Sequence, residues 1–233
     1  RLTRRATTRN RGCVETSVLM TQPLRVRGVI FDVDGTIADS VGTFYEVALE
    51  VLHLAGVPAA PKERVYELMR VGDNNPLVKL FPPDYPDAET TLKRIVDDRM
   101  SEWMRRYHYE TEAIPGSVEL LHELSTKGLR LGIATSSGRA LPFLDQWGVR
   151  HLFHGIVGRE DVESHKPHPE PVLKCLGHLQ LDPHEAVFIG DSPIDIRAGK
   201  AAGLYTIGVL TGTSPHEVLS REFADEILNR VAE

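Results

Sequence analysis

Apolar and polar positions follow two different rhythms along this chain, and the change between them marks out its organisation. Val29-Ile30-Phe31 is a short continuous apolar run, as expected of a strand buried on both faces of a parallel sheet. After Ser40 the apolar residues Phe44, Val47, Ala48, Val51, Leu52 and Ala55 recur at helical spacing until Gly56-Val57-Pro58 ends the pattern. Residues 61–111 read as helix or loop without a convincing strand. Pro76, Pro82, Pro83 and Pro86 divide them, and a longer helix is predicted from about Ala88 to Tyr107. Beyond Ile114-Pro115-Gly116 helices and strands alternate. Val118, Leu121 and Leu124 mark a helix ending near Gly128, Leu129–Ala134 reads as strand and Leu141–Trp147 as helix. A weaker strand at Gly155–Val157 precedes a helix at Pro171–Leu179. Then come a strand at Ala186–Ile189, a helix at Ile194–Ala202 and a strand at Tyr205–Val209. A short helix near His216–Leu219 and a last strand or helix around Glu226–Leu228 follow.

Alternation of this length implies a parallel sheet covered on both faces. The predicted fold class is α/β: a Rossmann-like parallel sheet sandwiched by helices, with a helical cap inserted after the first strand. Residues 26–39 and 112–233 are assigned to the α/β core and 40–111 to the cap. Residues 1–25 are read as a basic N-terminal extension, disordered and outside the fold. With 233 residues there is room for one domain or for a core with a modest insertion.

Charge sharpens this division. Residues 1–27 carry seven arginines against Glu15 alone, so under a total of -6 the remainder has a net charge of -12. An acidic body argues against nucleic acid as the main partner and makes a counter-cation useful wherever acids converge. The basic head is acid-poor like a targeting segment, but it lacks the apolar stretch of a secretory signal. No run approaches the roughly 18 apolar residues of a membrane span. Cys13 and Cys175 are too few and too far apart for a disulfide framework or a zinc site. A reducing, cytoplasmic location is expected, with no membrane or nucleic-acid partner; the pattern is silent on oligomeric state.

The candidate chemistry falls at the carboxyl ends of the strands, where open parallel sheets bind ligands. Asp32 and Asp34 straddle Val33 after the first strand, and Gly35-Thr36 follow. In an extended segment both carboxylates reach the same side. Their mutual repulsion favours a proton on one, which suits a nucleophile beside a general acid/base. Asp-Gly is also a common turn pair, so the motif gains weight from the apolar strand before it. Asp191 and Asp195 stand where another strand hands over to a helix; N-capping is their simplest use, and binding hard Mg²⁺ through carboxylate oxygen is the alternative. Together the four acids would repel one another without a cation. Thr135 and Ser136, at the next strand end, can offer hydroxyl and backbone N–H donors to phosphate oxygens. Lys166, in the proline-stiffened His165-Lys166-Pro167, can neutralise phosphate or a carboxylate. The ten histidines show no metal-ligand spacing, and Trp103 and Trp147 read as packing residues.

Phe31–Thr36, Thr135-Ser136-Ser137, Lys166 and Gly190–Asp195, in that order over about residues 28–210, resemble the haloacid dehalogenase superfamily, specifically its phosphatases with an inserted helical cap. The resemblance implies that Asp32 is a nucleophile forming an aspartyl-phosphate and Asp34 the acid/base. It implies that Thr135 and Lys166 hold the transferring phosphoryl group, and that Asp32, Asp34 (through its backbone carbonyl), Asp191 and Asp195 surround Mg²⁺. Dehalogenases and phosphonate-cleaving members lack an acid where Asp34 stands, and the histidine of the sugar-phosphate mutases corresponds to Phe44. The implied activity is a phosphomonoesterase of a small phosphorylated metabolite, a phosphoglycolate-like ester or a sugar phosphate. The alternatives are a phosphosugar mutase and a non-catalytic phosphate-binding module on the same fold. Arg70, in a segment expected to face the site from the cap, is a candidate partner for a substrate anion.

Overall fold

The computed structural model describes residues 26–71 and 75–233, together with the backbone of Thr3–Arg4 and Gln22–Pro23, which pair as a two-residue antiparallel ladder. The predicted disorder of residues 1–25 and the Gly72–Asn74 part of the cap segment lie outside the described residues, apart from that ladder.

Six parallel strands form the sheet: β1 (Gly28–Phe31), β2 (Arg130–Ala134), β3 (Phe153–Val157), β4 (Ala186–Gly190), β5 (Tyr205–Val209) and β6 (Glu226–Leu228), in spatial order β3-β2-β1-β4-β5-β6. The chain adds strands to one side of β1 and then returns to the other side with β4. That reversal opens a crevice at the carboxyl ends of β1 and β4. Successive residues of β1 point to opposite faces, which explains its unbroken apolar run. Val29 and Phe31 pack with Leu121 and Leu144, while Ile30 packs with Val172, Leu176 and Ala198 on the other face.

Helices α4 (Ser117–Thr126), α5 (Phe143–Gln146), α6 (Glu170–Leu179), α7 (Pro193–Ala201) and α8 (His216–Arg221) complete this part of the chain. Between β1 and β2 run α1 (Val41–Leu54), α2 (Lys62–Arg70), a 3-10 turn (Pro76–Leu80) and α3 (Ala88–Glu110). They enclose their own apolar cluster of Val51, Phe81, Leu92, Ile95 and Trp103. The chain leaves and re-enters the sheet region by two adjacent segments. Asp39 N–H donates to Glu112 O at 2.9 Å and Ile114 N–H to Ile37 O at 2.9 Å.

Several expectations needed refinement. Helix α2 forms on a segment left open between helix and loop, because Val65 and Leu68 alone supply its buried face. Pro76 starts the 3-10 turn rather than merely dividing the segment, since at the first helical position no N–H is missed. Helix α5 is shorter than its apolar pattern, with Pro142 at its start. Pairing with β5 makes 226–228 a strand, with Val209 opposite Leu228.

Candidate active site

Asp32 follows β1 directly and donates its backbone N–H to Ile189 O on β4 at 2.8 Å, so it stands on the crevice. The chain then turns sharply. Val33 O accepts the N–H groups of Thr36, Ile37 and Ala38, and Gly35 takes φ +77°, a conformation that favours glycine. A Cβ on Gly35 would lie 2.7 Å from Gly212 Cα and 3.1 Å from Asp191 Cγ. The turn therefore packs directly against the loop after β5, and Thr211 Oγ1 donates to Gly35 O at 2.6 Å to hold it there.

Lys166 joins the loops. Its Nζ lies 2.7 Å from Asp32 Oδ1 and 2.5 Å from Asp195 Oδ1, and all three side chains are buried. Asp195 is fixed from its other oxygen by the Ser192 hydroxyl and by the Ser192 N–H at 3.1 Å, which makes it the capping-box acid of α7. The capping reading of this acid therefore holds, and its remaining oxygen faces Lys166. Asp191 accepts from the Thr213 N–H at 2.6 Å and from the Thr213 hydroxyl at 3.0 Å. Gly212 makes that approach possible, because a Cβ there would fall 1.9 Å from Asp191 Oδ2.

Burial dominates the electrostatics. It pushes Asp32 well above the usual carboxylate range; Lys166 pulls it down, and Asp195, Asp34 and Asp191 push it up further. Asp191 is pushed up to about 7 by burial and by Asp195, against the hydrogen bonds from Thr213. Burial also disfavours the charge on Lys166, but Asp195 and Asp32 outweigh it and raise its pKa. The lysine stays an ammonium.

Carboxylate oxygens of Asp32, Asp191 and Asp195 all lie within 4.8 Å of one another. Among the described residues, Lys166 engages one oxygen of Asp32 and Thr213 one oxygen of Asp191. Asp32 and Asp191 each keep a second oxygen for a hard divalent cation, which would also relieve the repulsion among the acids, while Lys166 and Ser192 engage both oxygens of Asp195. The donor set fits such an ion.

Asp34 stands apart from this cluster. Its carboxylate accepts from Ser40 Oγ at 2.5 Å, Ser137 Oγ at 2.6 Å and, more weakly, the Tyr107 hydroxyl at 3.4 Å. Burial and the nearby Asp34 charge raise the Tyr107 pKa, so it remains a phenol donor. The two acids of the first motif therefore have different settings: Asp32 faces an ammonium, and Asp34 faces hydroxyls.

Thr135 is buried at the end of β2, and its Oγ1 accepts the Ser137 N–H at 3.0 Å. Ser136 is exposed and lines the cavity above the site. Arg70 is committed elsewhere: it donates to Thr213 O through Nε at 2.7 Å and through Nη2, and it pairs with Glu63 at 2.8 Å. It reaches the carboxylates only through Thr213, and it ties α2 to the loop after β5. Three participants escaped sequence reasoning, and a fourth, Ser137, stood in the Thr135-Ser136-Ser137 motif without a role. Ser40 resembles an ordinary loop hydroxyl, and Tyr107 a helix-surface aromatic. Thr213 lies in Thr211-Gly212-Thr213-Ser214, a polar run after an apolar strand that carried the only usable signal.

Asp32, Asp34, Lys166, Asp191 and Asp195 open on one cavity of about 660 Å³. An ammonium flanked by buried carboxylates, with a separate acid held by hydroxyls, is suited to displacement at an anionic centre followed by proton transfer.

Comparison with known proteins identifies the family. Residues 29–209 match the family model of the haloacid dehalogenase-like hydrolases. The chain is 30% identical over 222 residues to a phosphoglycolate phosphatase of Salmonella choleraesuis, covering 87% of this chain and 88% of that protein. A Haemophilus somnus structure provisionally described as a phosphoglycolate phosphatase superposes with TM-score 0.75 at 23% identity, covering 89% of this chain and 96% of the other, which shows the fold. A Thermotoga maritima structure provisionally described as a beta-phosphoglucomutase gives TM-score 0.65 at 26% identity over 87% and 94% of the two chains.

Proposed function

The chain belongs to the haloacid dehalogenase-like hydrolase family, and from that premise we propose that it is a Mg²⁺-dependent phosphatase of a small phosphorylated metabolite, working through an aspartyl-phosphate on Asp32. One observation carries the reading: Lys166 is buried between Asp32 and Asp195 at the crevice between β1 and β4, with Asp34 held apart on hydroxyl donors.

Asp32 attacks phosphorus through a carboxylate oxygen, and the bond to the leaving oxygen breaks. Lys166 offsets charge on the transferring phosphoryl oxygens. Asp34, oriented by Ser40 and Ser137, gives its proton to the leaving alkoxide. It then takes one from the water that hydrolyses the aspartyl-phosphate. Thr135, through the Ser137 N–H that its hydroxyl accepts, steadies the loop after β2, and Ser136 donates to phosphate oxygen. Asp32 and Asp191, with the backbone carbonyl of Asp34 and with Asp195 close by, would hold Mg²⁺, which when bound neutralises charge on phosphate and nucleophile. The helices between β1 and β2 cover the site and limit bulk water.

The curated relatives named phosphoglycolate phosphatase support hydrolysis. The phosphoglucomutase-like neighbour raises a second reading, return of the phosphoryl group to a sugar. Phe44, where the family's mutases carry histidine, counts against it. Purified protein should release inorganic phosphate from p-nitrophenyl phosphate only when Mg²⁺ is present, and Asp32→Asn should abolish that release. Full activity in a well-folded Asp32→Asn protein would sink the assignment. Isomerised sugar phosphate without free phosphate would instead establish the mutase.

A further inference from the structure

We infer that the ester processed at this site carries an apolar body, an alkyl chain or an unsubstituted aromatic ring, in place of the carboxylate or sugar of the family relatives' named substrates. The inference rests on the phosphatase reading above and names its substrate class.

The cavity over Asp32 and Lys166 extends between α1, α2, the 3-10 turn and α3, and its volume of about 660 Å³ lies in the range that accepts a drug-sized ligand. A phosphoryl group fills only a small part of that. Val47, Met69, Leu77, Val96, Met100 and Met104 form the wall beyond the carboxylates. Three of the chain's four methionines are in this set. Methionine is polarizable and fits irregular apolar shapes, which suits a family of related apolar bodies.

The polar groups that the helices bring to the cavity are few and largely engaged. Trp103 gives its indole N–H to Glu50 at 3.0 Å, and the Tyr107 hydroxyl is directed to Asp34. Thr43 and His108 remain. The cations that line the cavity among the described residues are Lys166, paired with Asp32 and Asp195, and Arg159, on the turn after β3 rather than on the helices. Among the described residues, a substrate carboxylate would lose water against this wall with no cation on the helices to meet it, and a sugar would have only Thr43 and His108 there for its several hydroxyls. An alkyl or aryl body loses nothing there.

A homologous series tests this with the leaving-group chemistry held constant. Phosphate release from ethyl, butyl and hexyl phosphate should show kcat/KM rising about threefold to fourfold per methylene, about a hundredfold from ethyl to hexyl. Hexyl phosphate should exceed 2-phosphoglycolate and glucose 6-phosphate by at least about tenfold. A flat series, or a preference for either polar ester, overturns the inference while leaving the phosphatase reading intact. If no ester is turned over, calorimetric binding of the same series to the Asp32→Asn protein decides the matter: tighter binding of hexyl phosphate upholds the apolar pocket and equal binding refutes it. Val47→Asp should collapse the hexyl-to-ethyl ratio towards one, and Val47→Leu should preserve it. An unchanged ratio in a folded Val47→Asp protein also overturns the inference.

Discussion

Replacing Gly212 by alanine adds one methyl group at the most crowded point of the site. The new Cβ would sit 1.9 Å from Asp191 Oδ2, 2.3 Å from its Cγ and 2.4 Å from its Cβ. Ordinary contact begins near 3.4 Å, so Asp191 or the 211–214 loop must shift by about 1.5 Å. Neither has a free direction. Asp191 is held by two hydrogen bonds from Thr213, and the loop by Thr211 on Gly35 and by Arg70 on Thr213. Overpacking of this kind costs about 1–3 kcal/mol, and moving a reactive group by about 1 Å costs about a hundredfold in rate. The expected Gly212→Ala protein is folded, about 1–3 kcal/mol less stable, and lower in kcat/KM for p-nitrophenyl phosphate by about a hundredfold. Its Mg²⁺ requirement should move to higher concentration. Urea denaturation, kinetics and a Mg²⁺ titration of activity measure the three effects. Gly177→Ala is the control: it lies within α6 with nothing inside 4 Å of the added carbon, and should stabilise by about 0.5–1 kcal/mol. Wild-type activity and Mg²⁺ response in Gly212→Ala would refute the placement of Asp191 against this loop.

Three further outcomes follow from the same geometry. Lys166→Met leaves Asp32 and Asp195 facing each other in a buried site; it should cost about 3–5 kcal/mol of stability in denaturant melts at neutral pH and at least about a hundredfold in activity. Retention of more than a third of wild-type turnover would contradict the role given to the ammonium. Ser137→Ala removes the hydroxyl donated to Asp34 at 2.6 Å and should lower kcat about tenfold to a hundredfold with KM little changed; a change confined to KM would argue against Asp34 as the proton carrier. Glu50 lies at the junction of α1 and α3. Burial pushes its carboxyl up, but the Trp103 indole and the Arg99 guanidinium outweigh burial and lower it below 4.5. A lowered folded value means stability that is present above pH 4.5 and lost as pH falls through that value. Glu50→Gln should therefore cost about 1 kcal/mol at pH 7 and progressively less in acid. Parallel melts that stay equally far apart at pH 7 and pH 3 would contradict the pairing.

The sequence by itself determined which segments are strands and helices in the sheet region, except residues 226–228, and where the principal acids lie. Those signals are local. β1 reads as a buried strand because each of its residues meets a packed face, and Asp32 and Asp191 each follow an apolar strand directly. The order of the motifs also carried Lys166, whose type alone says nothing. Only the tertiary structure decided the partners. Asp34 receives Ser40, Tyr107 and Ser137 from three separate segments, and Asp191 receives Thr213 from 22 residues away. Serine and threonine occur in most loops, so their residue types do not signal such contacts. Arg70 looked ready to meet a substrate, but chain folding set Thr213 and Glu63 within its reach first. The cavity wall was hidden for a different reason. Phe44 and Val47 fall on the same helical stripe as Ala48, Val51 and Leu52, yet the latter three are fully buried while Phe44 and Val47 line the opening. A 3.6-residue period reports that a face is apolar; what covers that face, another helix or a bound molecule, is settled only when the helices pack.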